Sequence, residues 1–217
     1  MSFLELSRRD NEIYRTLRER IVFVDYEPRD PLSESKIAEE FNCSRVPVRE
    51  AFLLLEAENF IDIVPSQGTY ASQVNLEYLQ KNFVVRKNLV KLLGKLAAVH
   101  ITSTQIDRLR SLVTEMEKEK DYKKLLRLDY RFHRVLHKAS GNKILSTLLD
   151  FLLGHAVRSW IVTLDERISA KLIPGNFERL IGELERGDTK ACAKSLSDHV
   201  QSSLDSLSEL ITNLKNV

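Results

Sequence analysis

The stretch Ser44-Arg-Val-Pro-Val-Arg-Glu-Ala-Phe-Leu-Leu-Leu-Glu-Ala-Glu-Asn-Phe-Ile61 carries an apolar face and a basic flank together. At about 100° per residue, Val48, Ala51, Phe52 and Leu55 gather on one side of a helix. Arg45 and Arg49, four residues apart, project from the adjoining flank. Pro47 falls in the first turn, where a missing N–H costs little. A helix entering the major groove offers base edges the side chains near its N-terminus. Arginine suits guanine there because its fork matches the O6 and N7 acceptors. Ser44 and the helix N-terminus can hold a phosphate. Two such arginines are also what a solvated helix face with weak ion pairs looks like, so the neighbouring segments decide.

Working towards the N-terminus, Asn42-Cys43 turns the chain, and Ser33 caps a helix over Glu34 to Phe41 that buries Ile37, Ala38 and Phe41. Two prolines, Pro28 and Pro31, separate it from a helix over Asp10 to Val24 with Ile13, Leu17, Ile21 and Val24 on one face. Towards the C-terminus, Ile61–Val64 and Thr69–Ala71 flank Pro65-Ser-Gln-Gly68 and read as a β-hairpin. Three helices plus a β-hairpin, in this order within about 65 residues, make a winged helix-turn-helix.

From Leu76 onward the pattern is helical, with segments near 76–99, 103–119, 121–139, 142–165, 168–186 and 188–214. Thr102 or Ser103, Gly141-Asn142, Pro174-Gly175 and Gly187-Asp188 punctuate them. The expected fold is mainly α: a winged helix-turn-helix over 1–72, a linker at 73–76, and an all-α antiparallel bundle of six or seven helices over 77–217.

Composition is that of a globular chain, 43% hydrophobic and 29% charged. No apolar run approaches the ~20 residues that span a bilayer. The N-terminus, MSFLELSRRDNEIYR, has charges where a signal peptide needs an apolar region. The expected place is therefore the cytoplasm, with no membrane partner. Cys43 and Cys192 lack metal-ligand spacing and read as small structural residues. Residues 1–75 hold nine basic and 14 acidic residues, a balance of −5 against +7 for the remainder. A DNA-binding reading thus rests on where the arginines sit, not on net charge.

Residues from about 10 to 72 resemble the GntR family of bacterial repressors, through the SRVPVRE run, the helix before it, and the Pro65–Gly68 turn. The resemblance implies that Ser44, Arg45, Val46 and Arg49 face double-stranded DNA and that the tip Ser66-Gln67-Gly68 reaches into the minor groove. This chain departs from the family where Asn59 and Arg29 replace glycines and where Val46 replaces a hydroxyl residue.

In the helical region, Asp129 and His133 lie four apart on the face of Leu125, Phe132 and Leu136. His199 shares a stripe with Cys192, Leu196 and Ser203, and Arg86 lines up with Phe83, Val90 and Leu93. Inward-pointing polar groups suggest a polar cavity inside the bundle. Residues 80–210 resemble the FCD effector domain of the FadR-type branch. That resemblance implies a divalent metal, Zn or Ni-like, with Asp129, His133 and His199 at three ligand positions and Phe177 at the fourth. Two readings stay open: an ion completed by water or ligand, or a metal-free pocket in which Asp129 hydrogen-bonds a histidine. The resemblance places Arg86 against an effector, where a guanidinium selects carboxylates; a surface salt bridge is the alternative. Asn142 reads as a helix cap, while His155, Arg158 and Trp160 are not placed by sequence.

The expected function is a homodimeric transcription regulator, a repressor, that reads a pseudo-palindromic operator and responds to an organic-acid effector at Arg86, Asp129, His133 and His199. The alternatives are a metal-dependent hydrolase on Asp129, His133 and His199, which lacks an accompanying nucleophile or general base motif, and a winged helix that binds protein.

Overall fold

The structure, a computed structural model, describes residues 12–163 and 177–215. Asp10, the expected helical residues 164–165 and 168–176, the Pro174-Gly175 break and residues 216–217 lie outside the described residues. The chain divides into two compact units, Met1–Asn75 and Leu76–Val217.

The first unit contains α1 (Glu12–Val22), β1 (Pro31–Leu32), α2 (Glu34–Glu40), α3 (Arg45–Ala57), β2 (Ile61–Val64) and β3 (Gly68–Ala71). Its core is formed by the faces read from sequence: Leu17 and Ile21 on α1, Ile37 on α2, and Val48, Ala51, Phe52 and Leu55 on α3 are buried. Each large aliphatic or aromatic side chain removed from water contributes about 1.5–3 kcal/mol before conformational entropy is counted. Ser33 caps α2 through its hydroxyl, which accepts from the Lys36 N–H. Phe41 is only half-buried, short of the core position expected for it, because it falls at the C-cap of α2.

A buried carboxylate ties α1 to the end of α3. Glu58 is 2% exposed, and the Tyr14 hydroxyl donates to its carboxylate at 2.9 Å. Arg18 Nε donates to Glu58 Oε2 at 3.1 Å, and the Arg18 guanidinium lies 5.1 Å above the centre of Phe60. Removing one member of such a pair leaves a buried charge uncompensated.

The hairpin gains a third strand. The sheet order is β1-β3-β2, all antiparallel, with Pro31 opposite Tyr70 and Ile61 opposite Ala71. Two residues are too few to show a period of two, and Pro31 is tolerated because β1 lies at an edge. The structure also explains two departures noted above. Arg29 (φ 76) and Asn59 (φ 59) both occupy the left-handed region, where glycine has no Cβ penalty. Asn pays less there than other side chains.

The second unit contains α4 (Leu76–His100), α5 (Ser103–Lys118), α6 (Tyr122–Ala139), α7 (Lys143–Thr163), α8 (Phe177–Glu185) and α9 (Thr189–Lys215). These are six helices among the described residues. Thr102 and Gln105 form a reciprocal capping box at α5, Asp121 caps α6, and Asn142 Oδ1 accepts from Leu145 N–H at 3.0 Å, capping α7 as expected. One core runs through the unit, from Phe83 and Leu93 on α4 to Leu109, Phe132, Leu149, Ile181 and Leu196. Where α4 meets α9, a Cβ on Gly94 would lie 2.6 Å from Ala193 N and 2.6 Å from the Cys192 carbonyl carbon. The two backbones approach this closely only because residue 94 has no side chain.

Contrary to the expectation from sequence, Lys143–Val162 is long and apolar enough to cross a membrane by length and mean hydropathy alone. It is 56% buried within the unit, and that burial against its neighbours accounts for its apolar character.

Candidate functional site

The first candidate surface is the N-terminal end of α3. Burying Val48, Ala51, Phe52 and Leu55 turns Ser44, Arg45, Val46 and Arg49 outward, and all four are exposed. Ser44 is the N-cap residue with an extended backbone, yet its hydroxyl makes no capping hydrogen bond. That leaves a hydroxyl beside the unpaired N–H groups of the first turn, where an anion is stabilised. Val46 is 63% exposed, an unusual position for a branched aliphatic side chain that could have been polar.

Arg49 is held from behind. Its Nε donates to both oxygens of Glu34, at 3.1 and 2.9 Å, from the first turn of α2. Sequence reasoning did not single out Glu34, since fifteen residues of separation and an intervening turn hide the contact. The hairpin tip, Ser66, Gln67 and Gly68, is exposed. Ser66 (φ 63) and Gly68 (φ 128) both take positive φ, and the Tyr70 hydroxyl donates to the Gln67 carbonyl at 2.9 Å.

The second candidate site is a cavity in the helical unit, with about 460 Å³ of empty volume, part of it open to solvent. Its polar side is formed by Arg86 of α4, Tyr122, Asp129 and His133 of α6, and His199 and Ser203 of α9. Leu126, Leu153, Ala156, Val157 and Trp160 form an apolar wall. The four residues expected to line a polar cavity, Arg86, Asp129, His133 and His199, are thus brought together. Trp160 joins them, whereas His155 and Arg158 are buried but are not among the lining residues.

Burial dominates the electrostatics. Arg86 is 3% exposed; desolvation pushes its guanidinium down to about 10, and the Asp129 charge pulls the other way. Desolvation pushes the Asp129 carboxyl up to about 7, opposed by Arg86. Burial and the Arg86 charge hold His199 down to about 4, and His133 is held well below its usual range by burial, then by His199, Arg86 and His137. Both imidazoles are therefore neutral near pH 7, each with one N–H donor. His133 Nε2 lies 3.7 Å from Asp129 Oδ1.

His137 continues the same face of α6 one turn beyond His133, a spacing that was legible but not used. It is fully buried, its Nδ1 lies 2.5 Å from Asp150 Oδ1 of α7, and its Nε2 has no hydrogen-bond partner.

The donor set does not fit a divalent ion. Phe177, at the fourth family position, supplies no donor, and its ring stands 6.1 Å from His133 and 5.6 Å from His199, centre to centre. It stacks at 4.2 Å on Phe132, so it belongs to the core. Among the described residues no group of three or more His, Cys, Asp or Glu is placed to hold a metal ion. A fixed cation, Arg86, already faces Asp129.

The model of the bacterial regulatory proteins, gntR family, matches residues 9–71, and that of the FCD domain matches residues 82–202. The chain is 25% identical over 204 residues to the HTH-type transcriptional repressor RspR of Escherichia coli K12, covering 93% of this chain and 90% of that protein. It is 26% identical to the HTH-type transcriptional regulator LutR of Bacillus subtilis, covering 85% and 94%. Among solved structures, E. coli McbR/YncC superposes with a TM-score of 0.78 at 20% identity, covering 99% and 100%, a likeness of fold.

Proposed function

The chain belongs to the GntR family of bacterial regulatory proteins and carries an FCD domain, and from that premise we propose a cytoplasmic repressor that an organic acid releases from its operator. As a family member it is a DNA-binding transcription regulator and not an enzyme. The observation that carries the finer reading is the outward presentation of Arg45, Val46 and Arg49 on the first turns of α3, over an apolar face locked into the core.

In this reading α3 enters the major groove. Arg45 and Arg49 pair with guanine edges, Ser44 and the helix N-terminus take a phosphate, and Val46 meets a thymine methyl. Ser66, Gln67 and Gly68 enter the minor groove. Two copies pair so that two such heads meet the half-sites of a pseudo-palindrome. Val85, Leu92 and Val99 support that pairing: they lie seven residues apart on α4 and are 50%, 45% and 66% exposed. The effector enters the cavity at Arg86, Asp129, His133 and His199 and shifts the population towards an arrangement with lower operator affinity.

Selection from a random duplex library, followed by fluorescence polarisation on the enriched sequence, tests this. Wild type should enrich a two-fold symmetric site and bind it in a salt-dependent way. Arg45→Ala combined with Arg49→Ala should lose at least about 30-fold of the specific affinity, from two guanine contacts at about 1–3 kcal/mol each. Enrichment of no sequence, or unchanged binding by the double variant, overturns the reading.

A further inference from the structure

We propose that this cavity takes a small monocarboxylate with an apolar body directly on Arg86, with no metal ion between protein and ligand. The proposal rests on the effector reading above and departs from the metal site that the FCD resemblance implies.

Three observations carry it. Arg86 is 3% exposed and lines the cavity, and its Nε has no hydrogen-bond partner. A buried donor on a cation left unsatisfied is costly, and a carboxylate oxygen is the partner with the right charge and shape. Next, the place where a metal would gain its fourth ligand is filled by Phe177, held in the core by Phe132 and edge-on to His133. A dication there would also meet the buried Arg86 charge, which already acts on both His133 and His199. Finally, the lining is two-sided. The hydrogen-bonding groups of Arg86, His133, His199, Tyr122 and Ser203 lie on α4, α6 and α9, whereas Leu153, Ala156, Val157 and Trp160 of α7 contribute an apolar wall. A ligand with carboxylates at both ends would strand one of them against that wall; a carboxylate on an apolar body would not.

Roles follow from chemistry. Arg86 pairs with the carboxylate through its free Nε edge, His133 and His199 add neutral N–H donors, and Asp129 offsets the Arg86 charge in the empty cavity. Trp160 and its neighbours cover the ligand's body.

The experiment uses the full-length protein, purified without chelator, exposed to Zn²⁺ or Ni²⁺, desalted, and weighed by native mass spectrometry. Wild type should retain no stoichiometric metal, whereas Phe177→His, which restores the fourth donor, should retain about one ion per chain. Thermal melting is then followed with phenylacetate, hexanoate, succinate and citrate, each with EDTA or with Zn²⁺. A monocarboxylate should raise Tm equally in both conditions, and Arg86→Gln should abolish the rise; if that variant does not fold, Arg86→Lys should weaken it. Stoichiometric metal on wild type, or a shift that needs Zn²⁺, overturns the metal-free site while leaving the effector reading intact. A shift from citrate or succinate alone overturns the ligand class. No shift from any carboxylate, on protein that still binds its operator, overturns the organic-acid reading and this proposal together.

Discussion

Arg49 gives its Nε to both carboxylate oxygens of Glu34, at 3.1 and 2.9 Å, while its side chain stays 62% exposed. The pair itself adds little stability, since exposed ion pairs are worth about 0–1 kcal/mol. Its effect is directional. With Nε engaged, the two terminal nitrogens are left as the edge that would meet a guanine in the proposed reading, and the side chain is biased away from other directions.

Glu34→Gln should therefore change two affinities in opposite directions. Specific binding should weaken roughly 5-fold through lost orientation, about 1 kcal/mol, while non-specific binding strengthens because one negative charge has gone. Polarisation titrations on the selected duplex and on a scrambled one measure both. If the two affinities rise together, Glu34 is only a charge and does not orient Arg49.

Val46 offers methyl groups at a position 63% exposed. Replacing thymine by deoxyuracil, base by base, in the selected operator should find one position per half-site at which wild type loses roughly 5- to 10-fold, about 1 kcal/mol, the low end of a base contact. Val46→Ala should be nearly insensitive to the same replacement. Equal sensitivity in both proteins would exclude Val46 as the methyl reader.

Gly94 lets α4 and α9 approach until a Cβ would lie 2.6 Å from backbone atoms of Cys192 and Ala193. Backbone cannot yield as a flexible side chain does, so Gly94→Ala should cost about 1–3 kcal/mol or more through forced separation of the helices. Calorimetry should show this as a lowered Tm of the helical unit, with the first unit's transition unmoved. An unchanged Tm would mean that the helices separate freely.

The histidines in and beside the cavity give a pH dependence with a defined sign. His199 is held down to about 4 by burial and Arg86, and His133 and His137 shift the same way. The unfolded chain then binds protons that the folded chain refuses. The stability these groups confer is whole above about 6.5 and is lost as pH falls towards about 4. Asp129, raised to about 7, opposes this: its contribution is whole below its unfolded value and fades as pH rises through 7. Ring ¹⁵N shifts of the three histidines should stay those of neutral imidazole down to about pH 6, and Asp129→Asn should steepen the acid loss of Tm. A ring titrating near its ordinary value would show that water reaches the group.

How much was legible follows from what kind of contact each feature needs. The faces of α1 and α3 and the inward placement of Asp129, His133 and His199 around one cavity follow helical periodicity, which is written locally. The glycine departures at Arg29 and Asn59 were visible as oddities, but only φ values of 76 and 59 show their cause. Strand β1 was missed because two residues carry no period. Glu34 beside Arg49, Glu58 beneath Tyr14, and Asp150 against His137 were missed because each joins different helices. Trp160 could not be placed because an aromatic side chain on an apolar helix reads the same in a core as in a cavity wall.

The bond from the Tyr70 phenol to the Gln67 carbonyl has a thermodynamic consequence. It restrains the hairpin tip before any duplex is present, so less disorder would remain to be surrendered if the tip enters the groove as proposed. Cutting that tether with Tyr70→Phe would keep every group that the proposed reading directs to the groove, yet the complex should form with a larger entropic penalty and a smaller equilibrium constant.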